Sequence, residues 1–145
     1  MLKLIDDGNP APPMLYACRI AVRWGDQDAD GHVNNATVLQ YLEEARMQWV
    51  AQLGLAKSAP ELVPVVASLA CEYVQPIGYP ASLYVGIGCA RLGNSSLQLV
   101  FEIRDTDASG ELHARACAAW VWVDGQSKHP HAMPEALRRA CSVTS

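Results

Sequence analysis

Thirteen consecutive residues, Arg23-Trp24-Gly25-Asp26-Gln27-Asp28-Ala29-Asp30-Gly31-His32-Val33-Asn34-Asn35, crowd together groups that can do chemistry. Carboxylates stand at 26, 28 and 30, a glycine that permits a sharp reversal at 31, an imidazole at 32, and asparagines at 34 and 35. A carboxylate beside such a turn can act as a nucleophile or take a proton from water. His32 can polarise that water or hydrogen-bond a carboxylate, and it can equally pin the loop. Asn34 and Asn35 suit a helix start, whose unpaired N–H groups can hold a developing oxyanion. Asn35 lies seven positions after Asp28, and a turn at Gly31 allows the carboxylate to fold back over that helix start. The run Asp26-Gln27-Asp28-Ala29-Asp30-Gly31 also begins like a calcium loop, with Asn34 at its ninth position. Its twelfth position is Thr37, where such a loop needs a bidentate glutamate, and a strand-like run precedes it, so no metal is assigned.

The flanking elements must position this stretch. From Tyr16 to Trp24 the pattern alternates, with Cys18, Ile20, Val22 and Trp24 on one face and Arg19, Ala21 and Arg23 on the other, which predicts a half-buried strand. From Ala36 to Leu53 the period changes to about 3.6 residues. Val38, Leu42, Ala45, Trp49 and Leu53 then share one stripe of a helix that starts at Asn34-Asn35 and stops at Gly54. After a Pro-marked loop at Ser58 to Pro64, strands are predicted over Val65 to Val74, Ala81 to Leu92, Ser96 to Asp105 and Glu111 to Val123. Gly93-Asn94 and Asp107-Ala108-Ser109-Gly110 between them suit antiparallel hairpins. On the last strand Leu112, Ala114, Ala116, Ala118, Trp120 and Trp122 share a face whose small residues leave room for a helix. A short helical tail is expected from Pro134 to Ala140, and residues 6 to 13 read as a loose lead-in. Strands in a run without alternating helices mean an α+β class, satisfied by one antiparallel sheet wrapped around one long helix.

The 145 residues are enough for a single domain over 1–145, with 1–14 as lead-in, and 50% of them are apolar. The formal net charge of -4 argues against general nucleic-acid binding. Cys18, Cys71, Cys89, Cys117 and Cys141 are odd in number and widely spaced, so they read as reduced, buried small hydrophobes. Neither a signal peptide nor a membrane-spanning run is seen, and the expected location is cytoplasmic.

This order of elements, with Asp28, Gly31 and Tyr41-Leu42-Glu43-Glu44-Ala45-Arg46, resembles the hotdog-fold acyl-CoA thioesterases, most closely the 4-hydroxybenzoyl-CoA thioesterase-like branch. Gly31-His32-Val33-Asn34-Asn35 is also similar to the His-Val-Asn-Asn box of acyl-ACP thioesterases, in which an aspartate lies four residues before the histidine, as Asp28 does here. Where those enzymes have an asparagine two residues before the histidine this chain has Asp30, so that residue's role is not carried over. Arg91-Leu92-Gly93-Asn94-Ser95-Ser96 and Val121-Trp122-Val123-Asp124 extend the resemblance along most of the chain beyond about residue 15.

The resemblance implies a hotdog fold that hydrolyses an acyl- or aroyl-CoA thioester without a cofactor. Asp28 would be nucleophile or base, helped by His32 and by the helix-start N–H groups, Asn35 among them. Asn34, Val38 and Tyr41 would neighbour the substrate, with Leu42 beside the acyl group. Arg91, Ser95, Ser96 and Lys128 would contact the phosphates or the pantetheine arm. Glu43 or Glu44 is a reserve carboxylate, and Arg46 an ion-pair partner. A homodimer or homotetramer is implied as well. The alternatives are a carrier-protein (acyl-ACP) thioesterase, a hotdog enoyl-CoA hydratase or dehydratase, and a non-catalytic acyl-CoA binding module.

Overall fold

The computed structural model describes residues 11–55 and 61–142. Most of the lead-in and the residues 58–60 of the Pro-marked loop lie outside them. In chain order the elements are β1 (Met14–Ala21), a 3-10 turn (Trp24–Asp26), α1 (Asn35–Gln52), β2 (Leu62–Tyr73), β3 (Ser82–Leu92), β4 (Ser96–Asp105), β5 (Leu112–Asp124) and α2 (Glu135–Cys141). The five strands form one antiparallel sheet in the order β1-β3-β4-β5-β2. The hairpins join β3, β4 and β5 as their turn residues predict, while β1 and β2 take the two edges.

Two features differ from the sequence reading. β1 stops at Ala21, and Trp24, placed on the buried face by alternation, is 73% exposed on the 3-10 turn. The cause is local: the Asp26 carboxylate and backbone draw the chain round after Val22, with Arg23 N–H donating to Asp26 Oδ2 at 2.9 Å and Asp26 N–H to the Arg23 carbonyl at 3.0 Å. β2 begins at Leu62, so Pro64, a loop residue by the sequence reading, is within a strand. An edge strand tolerates it, because a missing N–H on the outer side costs no ladder bond. Among the described residues the helices are α1 and α2; α2 is the helical tail expected from Pro134 to Ala140, and its fully buried Leu137 packs into the core against β3.

α1 runs 18 residues, about 27 Å at 1.5 Å per residue. Its buried residues are Val38, Tyr41, Leu42, Ala45, Trp49 and Val50, which follow the predicted stripe and widen it, while Leu53 is only partly buried. Opposite them β5 presents Ala114, Ala116, Ala118, Trp120 and Trp122, all 2% exposed or less, with Leu99, Phe101 and Ile103 beside them from β4. Each large apolar side chain so buried contributes roughly 1.5–3 kcal/mol. Asn34 caps the helix start, its Oδ1 accepting from Ala36 N–H at 2.9 Å, and Gly54 ends it at φ 72°, in the left-handed region. The helix start is thereby fixed at the end of the sheet where β1 and β2 finish and β3 begins.

Candidate active site

Backbone hydrogen bonds shape the loop between β1 and α1. Gln27 and Val33 form an isolated antiparallel bridge, and within it Asp28 N–H donates to the His32 carbonyl at 2.9 Å and Gly31 N–H to the Asp28 carbonyl at 3.0 Å. Gly31 sits at φ 80°, which a side chain rarely tolerates, so the reversal predicted from its identity is real. Val33 N–H reaches the Ile77 carbonyl at 2.9 Å and Asn34 N–H the Asp26 carbonyl at 3.0 Å, which tie the loop to the β2–β3 connection and to itself.

The three carboxylates have different partners. Asp26 Oδ2 accepts the Tyr41 hydroxyl at 2.6 Å and the Arg23 N–H, anchoring the loop to the helix. Asp28 makes an Asx-turn, Oδ1 accepting from Asp30 N–H at 2.9 Å, and its Oδ2 has no protein partner among the described residues. Asp30 supplies that N–H and leaves its own carboxylate to the cleft.

A cleft of about 400 Å³ opens over this loop. Asp28, Asp30, His32, Asn34, Asn35 and Val38 line one side of it. At the helix start Val38 N–H returns to the Asn34 carbonyl and Ala36 N–H to the Asn34 side chain, while Asn35 N–H has no acceptor among the described residues. The other side comes from the end of β2, the β2–β3 connection and the start of β5: Tyr73, Val74, Gln75, Ile77 and His113. Tyr73 hydroxyl donates to the Asn35 carbonyl at 2.9 Å, bridging the edge strand to the helix start.

Sequence reasoning missed this second wall. Its most reactive member is His113, placed by a break in register where Ile103 pairs with Ala114 but Arg104 pairs with Leu112. His113 Nδ1 lies 3.1 Å from the Pro76 carbonyl, which can only accept, so Nδ1 is the donor of that bond and the ring is held in one orientation. A bulge has no signature in a single sequence, and nothing in the chain marks this histidine over the other three.

Of the residues expected at the site, Asp28, His32, Asn34, Asn35 and Val38 share the cleft. Tyr41 does not: it is 6% exposed beneath the loop, its hydroxyl held by Asp26, and burial first and that bond second push its ionisation well above the ordinary range. Leu42 is plain core. Arg91, Ser95, Ser96 and Lys128 are also not brought there within one chain. They cluster at the far end of the sheet, where Ser95 carbonyl accepts from Trp122 N–H and Lys128 N–H closes a turn on the Asp124 carbonyl. The nine-residue rise along β3 from Ser82 to Arg91 separates the two ends by about 30 Å. The neighbouring turn is held by Arg138, whose guanidinium donates to the Gly93 and Asn94 carbonyls at 2.9 Å each. Arg46 forms no ion pair among the described residues; its guanidinium stacks 5.7 Å from the Trp120 ring centroid, and burial lowers its ionisation.

Among the described residues no group of histidine, cysteine, aspartate or glutamate could hold a metal ion, and no helix is long and apolar enough to cross a membrane.

Comparison with known proteins bears on this geometry. The family model of the thioesterase-like superfamily matches residues 22–141. The uncharacterised protein YsmA of Bacillus subtilis (strain 168) is 31% identical over 81 residues, which cover 56% of this chain and 55% of that one, so the match spans about half the length of that relative. Among solved structures, PA2801 of Pseudomonas aeruginosa, a candidate thioesterase, is 34% identical with a TM-score of 0.83 and covers 88% of this chain and 98% of its own. A thioesterase from Thermus thermophilus, solved with coenzyme A and zinc, is 32% identical with a TM-score of 0.73, over 88% and 92% of the two chains.

Proposed function

The chain belongs to the thioesterase-like superfamily, with an α+β hotdog fold, and from that premise we propose that it is a thioester hydrolase that cleaves an acyl- or aroyl-CoA to the free acid and coenzyme A. The observation that carries this reading is the meeting in one cleft of the open Oδ2 of Asp28 and the unpartnered N–H of Asn35 at the helix start. The N–H and the helix dipole receive the thioester oxygen as negative charge grows on it. Asp28 Oδ2 either attacks the carbonyl carbon, expelling the thiolate and leaving a mixed anhydride for water to open, or takes the proton from an attacking water. In this reading His32, on the same wall, orients that water, and Val38 and Tyr73, which also line the cleft, flank the acyl group. The coenzyme A bound in the Thermus thermophilus relative favours CoA over a carrier protein as the thiol carrier.

The reading takes the whole chain as one domain and includes a second copy. Asp28, His32 and Asn35 are exposed in the single chain, whereas an oxyanion site works best where water is excluded. The edge strand β2, next to the cleft, exposes Val63, Val65, Leu69 and Tyr73 at 39–43%. An apolar edge of that kind fits pairing with another chain. A dimer would also offer the cleft a second set of Arg91, Ser95, Ser96 and Lys128, which one chain holds too far away.

Replacing Asp28 with asparagine and following free thiol release from acyl-CoAs of varied chain length, aryl-CoAs included, tests the assignment. The expected fall in kcat is about 100-fold or more. Absence of turnover by the parent on every acyl-CoA, or an unimpaired variant, would overturn it. After single-turnover hydrolysis in oxygen-18 water, label in the Asp28 carboxyl group marks the nucleophilic route with the anhydride opened at the Asp28 carbon, and trapping of the anhydride by hydroxylamine marks that route where water opens it at the acyl carbon.

A further inference from the structure

Away from the cleft, two of the five cysteines come together from distant parts of the sequence. Cys89 lies on β3 at a register break between Cys89 and Arg91, and its thiol donates to the Arg91 carbonyl at 3.4 Å. Cys141 is the last residue of α2. The helix is seated over the end of β3 by the fully buried Leu137 and by Arg138, bound to the carbonyls of the β3–β4 turn. Both cysteines are half-buried against the same core, Cys141 one helical turn after Leu137 on the helix that packs on β3, and each thiol is the strongest electrostatic influence on the other. Cys18, Cys71 and Cys117 are on β1, β2 and β5, and the groups that perturb their thiols include no other cysteine.

We propose that Cys89 and Cys141 are a thiol-oxidation site, which a low-molecular-weight disulfide converts to an intramolecular disulfide fastening α2 to β3. The order of events follows from the local electrostatics. The neighbouring Cys141 thiol holds the Cys89 thiol below its ordinary range, and the same neighbourhood with burial pushes Cys141 up, so Cys89 ionises first and attacks. Its sulfur bonds to one sulfur of the reagent, the reagent's S–S bond breaks, and the departing thiolate takes up the proton that Cys89 lost. Cys141 then attacks Cys89 Sγ, gives up its own proton, and releases the second reagent thiol. Two protein thiols lose two electrons in all, and one small disulfide becomes two thiols. Neither cysteine lines the cleft.

The test treats the full chain with oxidised glutathione, alkylates the remaining thiols, and reads intact mass and cross-linked peptides. The expected product has three free thiols instead of five, one bond between the Cys89 and Cys141 peptides, and full reversal by dithiothreitol. Cys141→Ser is expected to stop at a single glutathione adduct on Cys89, and Cys89→Ser to form no internal bond. Five thiols remaining in the parent, a bond between any other pair or between two chains, or an adduct at another cysteine in Cys141→Ser would overturn the proposal. The parent's peptide map decides the matter even where a variant fails to fold.

Discussion

Chemically identical side chains acquire different work in this loop through the hydrogen bonds they accept. Asp26 accepts Tyr41 and Arg23, whereas Asp28 spends one oxygen on the backbone and keeps the other open. Removing the Tyr41 hydroxyl by Tyr41→Phe deletes a bond to a charged acceptor, with an expected cost of about 1–2 kcal/mol in urea denaturation. It should also lower kcat, since the loop that carries Asp28 loses its tie to the helix. At Gly31 the open space around a built side chain means that any penalty comes from φ 80° alone. Gly31→Ala is therefore expected to cost about 1 kcal/mol and to slow thiol release more than it raises KM, a split that steady-state kinetics reads directly. The sequence singles out the stretch because carboxylates, glycine, imidazole and asparagines crowd into it. It does not show that Tyr41, near the expected stripe, turns its hydroxyl to Asp26, nor that His113 comes to the cleft from 81 residues after His32, because both depend on tertiary contacts.

Among the elements, periodicity is most informative where burial is strictly one-sided. β4 alternates without interruption and is legible to its ends, Ser96–Asp105. Alternation of residue types overruns β1, because it continues past the point where Asp26 turns the chain. It clips β2, because Pro64 reads as a breaker until its edge position is known. The turn after β5 carries a pH dependence. Asp124 Oδ1 accepts from Ser127 N–H at 2.8 Å and Gln126 N–H at 2.9 Å, and these bonds hold its carboxyl below the ordinary value of 3.8. A folded value below the unfolded one gives stability that is full above the ordinary carboxylate range and is lost as pH falls through the lower folded value. Denaturation midpoints should accordingly drop from about pH 6 to about pH 3, and Asp124→Asn should flatten part of that drop. The carboxyl of Asp107, held down by the Ser109 hydroxyl and N–H in the β4–β5 turn, works in the same direction.

At the scale of the molecule, an edge position for β2 is not readable from the chain, since strand order is set by which strands pair and hairpin signals report only sequential neighbours. That order leaves Leu69 exposed on the edge strand, four residues before Tyr73 of the cleft. Leu69→Lys is expected to shift the native mass to that of one chain and to cut thiol release at least about tenfold, because a charge on an apolar edge opposes pairing. A monomeric variant with full activity would show that one chain completes the site. The α+β class and the room left by the small residues of β5 are both legible in the sequence, because they follow from residue size and order. Those alanines also constrain how this protein can diverge. Ala114, Ala116 and Ala118 on the sheet and Ala45 on the helix are all 2% exposed or less, so a larger side chain at any of them has to displace its neighbours in the core. Along an evolutionary lineage, a larger residue at one of them survives only with a smaller one across the interface. The inherited quantity is the combined volume of the pair, and through it the height at which the start of α1 meets Asp28.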